Sequence, residues 1–439
     1  MLTGVLCLLV LVGAWLVVRV RADATASLPC PRAHERRIQV LALAAVLLAA
    51  APFFRLIPGW EARPQPFWGD MTSHARVAAE IARTGLPNGW IDAYLGGFPF
   101  GHHYPPLGWM LLAGIIRLGV SPASAATALG FSAALGFVLA LYFGLTRCGV
   151  RPAFAALGAI SLCWVAPYNA FVGGYETYFT AGLMSQVLVM PLCTWLVVVT
   201  LRDERRWPAP LFAWLSMAAH PQVTVAAVIV LCVAALASGR GALIASCFWT
   251  GTYAGLAGLA LYGQGIASLH IPFGWPPDLG WRQLGFRPDR LQRWLGDGEL
   301  LDFERPSVMT SLLLTASLVL LLSLRRPAHR ALLLALGLSL TLAISGRWLL
   351  ARGRVGGFLL SFLQPLRALS LVPPLAAAII ALGLDRGAAA LSSTAYALGR
   401  ARIGRAVPWS IALLGVAVAG FGLPSRLRYV DSVLAMQRD

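Results

Sequence analysis

Asp70 and His74 lie four residues apart in WGDMTSHARVAAEIARTG. On a helix that spacing projects a carboxylate and an imidazole from one flank, where both can reach one substrate. A carboxylate near a low-dielectric surface holds a proton more tightly than in water and so is a better general base. Asp70 is the candidate base, with His74 or His103 orienting it or replacing it. The plainer reading of Asp70 is a cap on the helix that starts there. Further on, GGFPFGHHYPPL carries His102, His103 and Tyr104. Adjacent histidines on an extended chain point opposite ways, so the pair reads as interfacial or solvated rather than as a metal site. With Tyr104 it is a candidate substrate contact.

A second carboxylate, Glu176, stands between glycine and aromatic residues in GGYETYF. It suits positioning an acceptor or holding a cation, or is a solvated loop carboxylate; Tyr175 beside it is a further candidate contact. Arginine's planar fork fits phosphate oxygens. Arg347, Arg352 and Arg354 gather in a short segment between apolar runs, and Arg367 sits inside an apolar run in LQPLRALS. A charge in such a place asks for a partner, and a lipid phosphate is one; contact with headgroups is the alternative for Arg347 to Arg354. His220, before Pro221 in an apolar stretch, reads as a structural histidine at a helix break.

These groups are set in a chain of 439 residues, 58% hydrophobic and 12% charged, with a mean hydropathy of +0.72. Apolar runs this long and this frequent read as membrane-crossing helices. The expected fold class is all-α: a polytopic transmembrane helix bundle, one integral membrane domain over 1–439. Candidate spans are 1–20, 38–57, 122–146, 152–168, 180–201, 208–220, 221–238, 242–264, 308–324, 331–347, 358–384 and 408–423, about twelve. The first lacks a basic leader and a small-residue cleavage site, so it reads as a span rather than a signal peptide. The net charge of +17 comes from arginine alone, without lysine. It is strung singly and in pairs between apolar runs, which is the pattern of topology-setting loops and argues against nucleic acid as a partner. Membrane lipids are the expected partners of these arginines.

The segment 106–118 is short for a crossing, so it reads as an interfacial or re-entrant helix. The arginine-bearing short loops then fall on the cytoplasmic side. Residues 55–121 become a first outer loop with interfacial helices, and 265–307 a second large outer loop, in which Trp275, Trp281 and Trp294 suggest a cover for an acceptor. From Met71 the spacing predicts an amphipathic surface helix, with Ala75 and Ala78 on one face and Arg76, Glu80 and Arg83 away from it. After it, glycine and proline predict irregular chain up to His103. The seven cysteines form no CxxC pair and indicate neither a disulfide framework nor a zinc site.

The order of an amphipathic outer loop, Asp70 shortly before His74, TGLPNGW, GGFPFGHHYPPL and a short apolar helix resembles the first outer loop of the GT-C superfamily of polytopic membrane glycosyltransferases. The likeness covers about residues 60–225, including PYNAFVGGYETYFTAG and AAHP at Ala218–Pro221. It is closest to uncharacterised bacterial branches, with protein O-mannosyltransferases and aminoarabinose transferases as distant relatives. It implies a GT-C-like bundle in the bacterial inner membrane, part of the cell-envelope machinery. The implied activity is transfer of a hexosyl or pentosyl group from a polyprenyl-phosphate-linked sugar donor to a glycan, lipid or protein acceptor on the outer face. By position, Asp70 and Glu176 match the acidic residues of the family's first two outer loops. No DxD stands at Asp70, so the resemblance leaves a divalent cation, Mg2+ or Mn2+, open as a cofactor. Two rival readings are a polyprenyl-linked lipid flippase or transporter, and a non-catalytic GT-C-like membrane protein.

Overall fold

The computed structural model describes residues 32–54, 71–86, 89–91, 98–100, 106–163, 184–201, 209–239, 241–268, 289–298, 300–302, 307–346 and 365–420, with isolated residues beyond them. Within these the chain is helical apart from one short hairpin. Among the described residues, four helices are long and apolar enough to cross a membrane: Pro122–Arg147 (α4), Pro221–Ser238 (α8), Pro327–Ile344 (α12) and the stretch Arg367–Ala397. That stretch belongs to a 3-10 helix, Pro365–Leu371, running into α13, Val372–Ala397. The other helices are α1 (Arg32–Phe54), α2 (Met71–Thr84), α3 (Pro106–Arg117), α5 (Pro152–Cys163), α6 (Met184–Leu201), α7 (Ala209–Ala219), α9 (Gly241–Ser268), α10 (Asp289–Gly296), α11 (Val308–Leu321) and α14 (Ala401–Gly420).

The sequence punctuates these helices by ordinary means. Proline opens α3, α4, α5, α8 and α12, where its missing N–H costs nothing. Ser121 caps α4 by accepting from the Ser124 amide at 3.2 Å, and Gly239 closes α8 at φ +70°. At twelve residues, α3 is about 18 Å long, shorter than a hydrocarbon core of about 30 Å.

The buried centre is α13, which packs against α5, α11, α12 and α14. Its approach to its neighbours depends on small residues. A Cβ on Gly383 would meet the Ala316 carbonyl oxygen of α11 at 2.6 Å, and one on Gly158 of α5 would meet the Ala377 carbonyl oxygen at 2.8 Å. In lipid, where no hydrophobic force pushes helix against helix, such close backbone packing holds a bundle together. Several hydroxyls within the bundle turn back on their own helices: Ser161 donates to the Leu157 carbonyl, Thr194 to Met190 and Ser339 to Ala335.

Three sequence expectations change. The chain beyond α2 is not irregular throughout: Gly89–Ile91 (β1) pairs antiparallel with Phe98–Phe100 (β2), Trp90 opposite Pro99, because aromatic residues favour strand even around a proline at an edge. The last helices also begin or end away from the expected positions. Asp385 and Arg386 lie inside α13 rather than after it, since Arg151 donates through Nε to Asp385 Oδ1 and through Nη2 to the Asp385 carbonyl at 2.8 Å, neutralising the carboxylate. Thirdly, Trp294 is not displayed at the surface of its loop. It is buried in the main core, followed by a turn in which the Asp302 carboxylate accepts from the Met309 and Thr310 amides and starts α11. Trp275 and Trp281 lie outside the described residues.

The Arg151–Asp385 pair marks one end of the bundle, where short basic loops meet. There Cys148 lies by the Val198 carbonyl near the end of α6, and Arg330 Nη2 donates to the Ser238 carbonyl at the end of α8.

Candidate functional site

At the opposite end, α2 lies against α3 and α4. Its buried face includes His74, Ala75, Val77, Ala78 and Ile81, with Arg76 exposed, the amphipathic arrangement expected from the spacing. His74 Nδ1 accepts from Trp109 Nε1 of α3 at 3.0 Å. An indole N–H only donates, so the Nδ1 lone pair is occupied and the proton of the neutral ring is on Nε2. Burial pushes the imidazole down to about 4, which keeps it neutral at pH 7. The neutral ring therefore carries its hydrogen-bond donor at Nε2. At the far end of the same two helices, Arg117 Nε donates to the Ala82 carbonyl at 2.9 Å and caps α2, beside Gly85 at φ +81°. The two contacts, first turns together and last turns together, fix α2 and α3 side by side in the same direction.

The first turn of α3 in turn rests on α6: a Cβ on Gly108 would meet Met184 Cε at 2.5 Å. Two residues on from Met184, Gln186 bridges a buried polar network. Its Oε1 accepts from Arg367 Nη1 at 2.7 Å, and its Nε2 donates to Ser370 Oγ at 2.6 Å. The 3-10 helix that carries Arg367 and Ser370 packs against α6, α8 and α12. Gln186 and Ser370 are buried, whereas Arg367 is half-buried. His220, the N-cap of α8, is within electrostatic reach of the Arg367 guanidinium. Its Nδ1 accepts from the Val223 amide at 3.4 Å, the structural role expected of a histidine before Pro221. Ser185, next to Gln186, has a buried hydroxyl with no partner among the described residues. The half-buried Arg367 guanidinium close to the positive end of α8 makes this place electropositive, a chemistry that favours anions.

Of the residues singled out in the sequence, the structure places His74 and Arg367 and brings them to the same end of the molecule through Trp109, Gly108, Met184 and Gln186. Asp70, His102, His103, Tyr104, Tyr175, Glu176, Arg347, Arg352 and Arg354 lie outside the described residues. Chain order still constrains some of them: Asp70 directly precedes α2, and His102 follows β2 by two residues. Trp109, Gln186, Ser185 and Ser370 were not singled out, although MSQVLVM shows two polar residues opening an apolar run. Among the described residues no cluster of His, Cys, Asp and Glu is arranged to hold a metal ion. The sequence matches no protein-family model and no curated protein.

Proposed function

We propose that the protein is a membrane glycosyltransferase of GT-C type, moving a sugar from a polyprenyl-phosphate-linked donor to an acceptor at the outer face of the bacterial cytoplasmic membrane. The observation that carries this reading is the Arg367–Gln186–Ser370 network, a half-buried guanidinium held in place at the same end as the His74–Trp109 pair. That end lies opposite the short arginine loops, which the positive-inside rule assigns to the cytoplasm.

In this reading Asp70 takes the proton of the acceptor hydroxyl as that oxygen bonds to the anomeric carbon. The bond from that carbon to the phosphate oxygen breaks, and the lipid phosphate leaves with the electron pair. Arg367 stabilises the negative charge that develops on the phosphate, with Arg347, Arg352 and Arg354 as further phosphate contacts from the preceding segment. His74, one turn after Asp70 and with its proton on Nε2, orients the carboxylate. Glu176 and Tyr175 position the acceptor with His102, His103 and Tyr104. A divalent cation, if it takes part, supplies charge neutralisation at the phosphate.

A flippase reading would need polar groups along a path through the bundle; the buried hydroxyls of Ser161, Thr194 and Ser339 are instead bonded to their own helices. The test is sugar transfer from a polyprenyl-phosphate-sugar pool in membranes carrying wild type or Asp70→Asn at equal insertion. Loss of a general base predicts a fall of about 10²-fold or more. Unchanged transfer would reduce Asp70 to a helix cap, and lipid movement without transfer would put the flippase first.

A further inference from the structure

Among the described residues, the basic end of the bundle carries more positive charge than its own contacts use. Asp385 is paired with Arg151, whose guanidinium carbon also lies 4.8 Å from the Phe154 ring centroid. Arg386, the next residue of α13, is within electrostatic reach of both Arg151 and Arg326. Arg326 is the N-cap residue of α12. In the first turn of that helix, His329 Nδ1 and Ser323 Oγ share a hydrogen bond at 2.7 Å, and Arg330 reaches the Ser238 carbonyl through Nη2 at 3.1 Å. Two donors in this group, Arg330 Nε and Arg386 Nε, are buried and have no acceptor among the described residues. A buried N–H on a charged group left without an acceptor is costly. In this group Arg151, Arg326, Arg330 and Arg386 are set against the carboxylate of Asp385.

We infer that a phosphate-bearing anion binds at this end, between the start of α12 and the middle of α13, held by Arg326, Arg330 and Arg386, with the Arg151–Asp385 pair as its floor. Phosphoryl oxygens accept from the Nη–H groups of the half-buried Arg326, Arg330 and Arg386, and the guanidinium fork matches their geometry. The start of α12 adds the positive end of a helix. Two sources offer this chemistry, the headgroup of an anionic phospholipid and free phosphate. Exposed Leu321, Leu322 and Leu324 beside Arg326 give acyl chains a surface, and basic pockets between helices on the cytoplasmic side suit such headgroups. The site is separate from the Arg367 network at the other end, and it stands or falls independently of the proposed transfer reaction.

The test uses the full chain in phosphatidylcholine nanodiscs, following thermal unfolding as phosphatidylglycerol is added to the lipid or inorganic phosphate to the buffer. Stabilisation by phosphatidylglycerol alone identifies a headgroup site; stabilisation by phosphate alone identifies a soluble anion; either supports the inference. Arg386→Gln is expected to raise the half-saturating concentration about tenfold, the effect of one charge-assisted hydrogen bond. Arg386→Lys, which keeps the charge and loses the fork, is expected to fall between. Arg326→Gln gives a second reading should Arg386→Gln fail to fold. Absence of stabilisation of wild type by either anion, or half-saturation in Arg386→Gln and Arg326→Gln equal to that of wild type, overturns the inference.

Discussion

The imidazole of His74 has one nitrogen occupied by Trp109 and is buried, which leads to two predictions. Trp109→Phe keeps much of the ring's bulk but leaves the Nδ1 lone pair without its indole donor, so it should destabilise the protein by about 1–3 kcal/mol, read as a lower unfolding temperature in detergent. Stability should also fall with acid. The folded imidazole titrates at about 4 and the free side chain at 6.5, so between these values the unfolded chain binds more protons. The contribution of His74 is complete above pH 6.5 and is lost as the pH falls through 4, up to about 3 kcal/mol. His74→Gln should flatten this part of the stability–pH curve, and an unchanged slope would assign it to other groups. Polarity in an apolar setting made His74 and Arg367 readable in the sequence. Their partners were not: Trp109, Gln186 and Ser370 are brought in by the packing of helices distant in the chain, and a serine or glutamine opening an apolar run has no chemistry until an arginine arrives beside it.

For the helices, hydropathy located the four long apolar ones, because the feature that drives each into lipid is written continuously along it. Their ends were less legible. A charge ordinarily marks the exit from the membrane, but Asp385 is matched by Arg151, 234 residues away, so α13 continues past it to Ala397. The β1–β2 hairpin was hidden by its three-residue strands and by Pro99 within one of them. Helix contact is the element-scale property most open to test. Gly383→Val has to move the Ala316 backbone and should cost about 1–3 kcal/mol or prevent insertion. Gly337→Ala in α12, where an added Cβ meets nothing within 4 Å, should be tolerated; comparing the two unfolding temperatures separates lost helix contact from any general intolerance of glycine replacement.

Taken whole, the molecule has two polar ends with different chemistry, one crowded with short arginine loops and the other holding the His74–Trp109 pair and the Arg367 network. Their opposite placement predicts that Leu118→Cys is labelled by a membrane-impermeant maleimide in intact cells, whereas Leu398→Cys is labelled only after permeabilisation; both residues are exposed. The proposed reaction depends on Arg367 meeting a lipid phosphate at the first of these faces. The most direct measurement is sugar transfer from a polyprenyl-phosphate-sugar donor by Arg367→Gln beside wild type, at matched insertion. A fall in kcat/KM of about 10²-fold, the loss of one cation placed at developing negative charge, is the predicted result; an unchanged kcat/KM would contradict it.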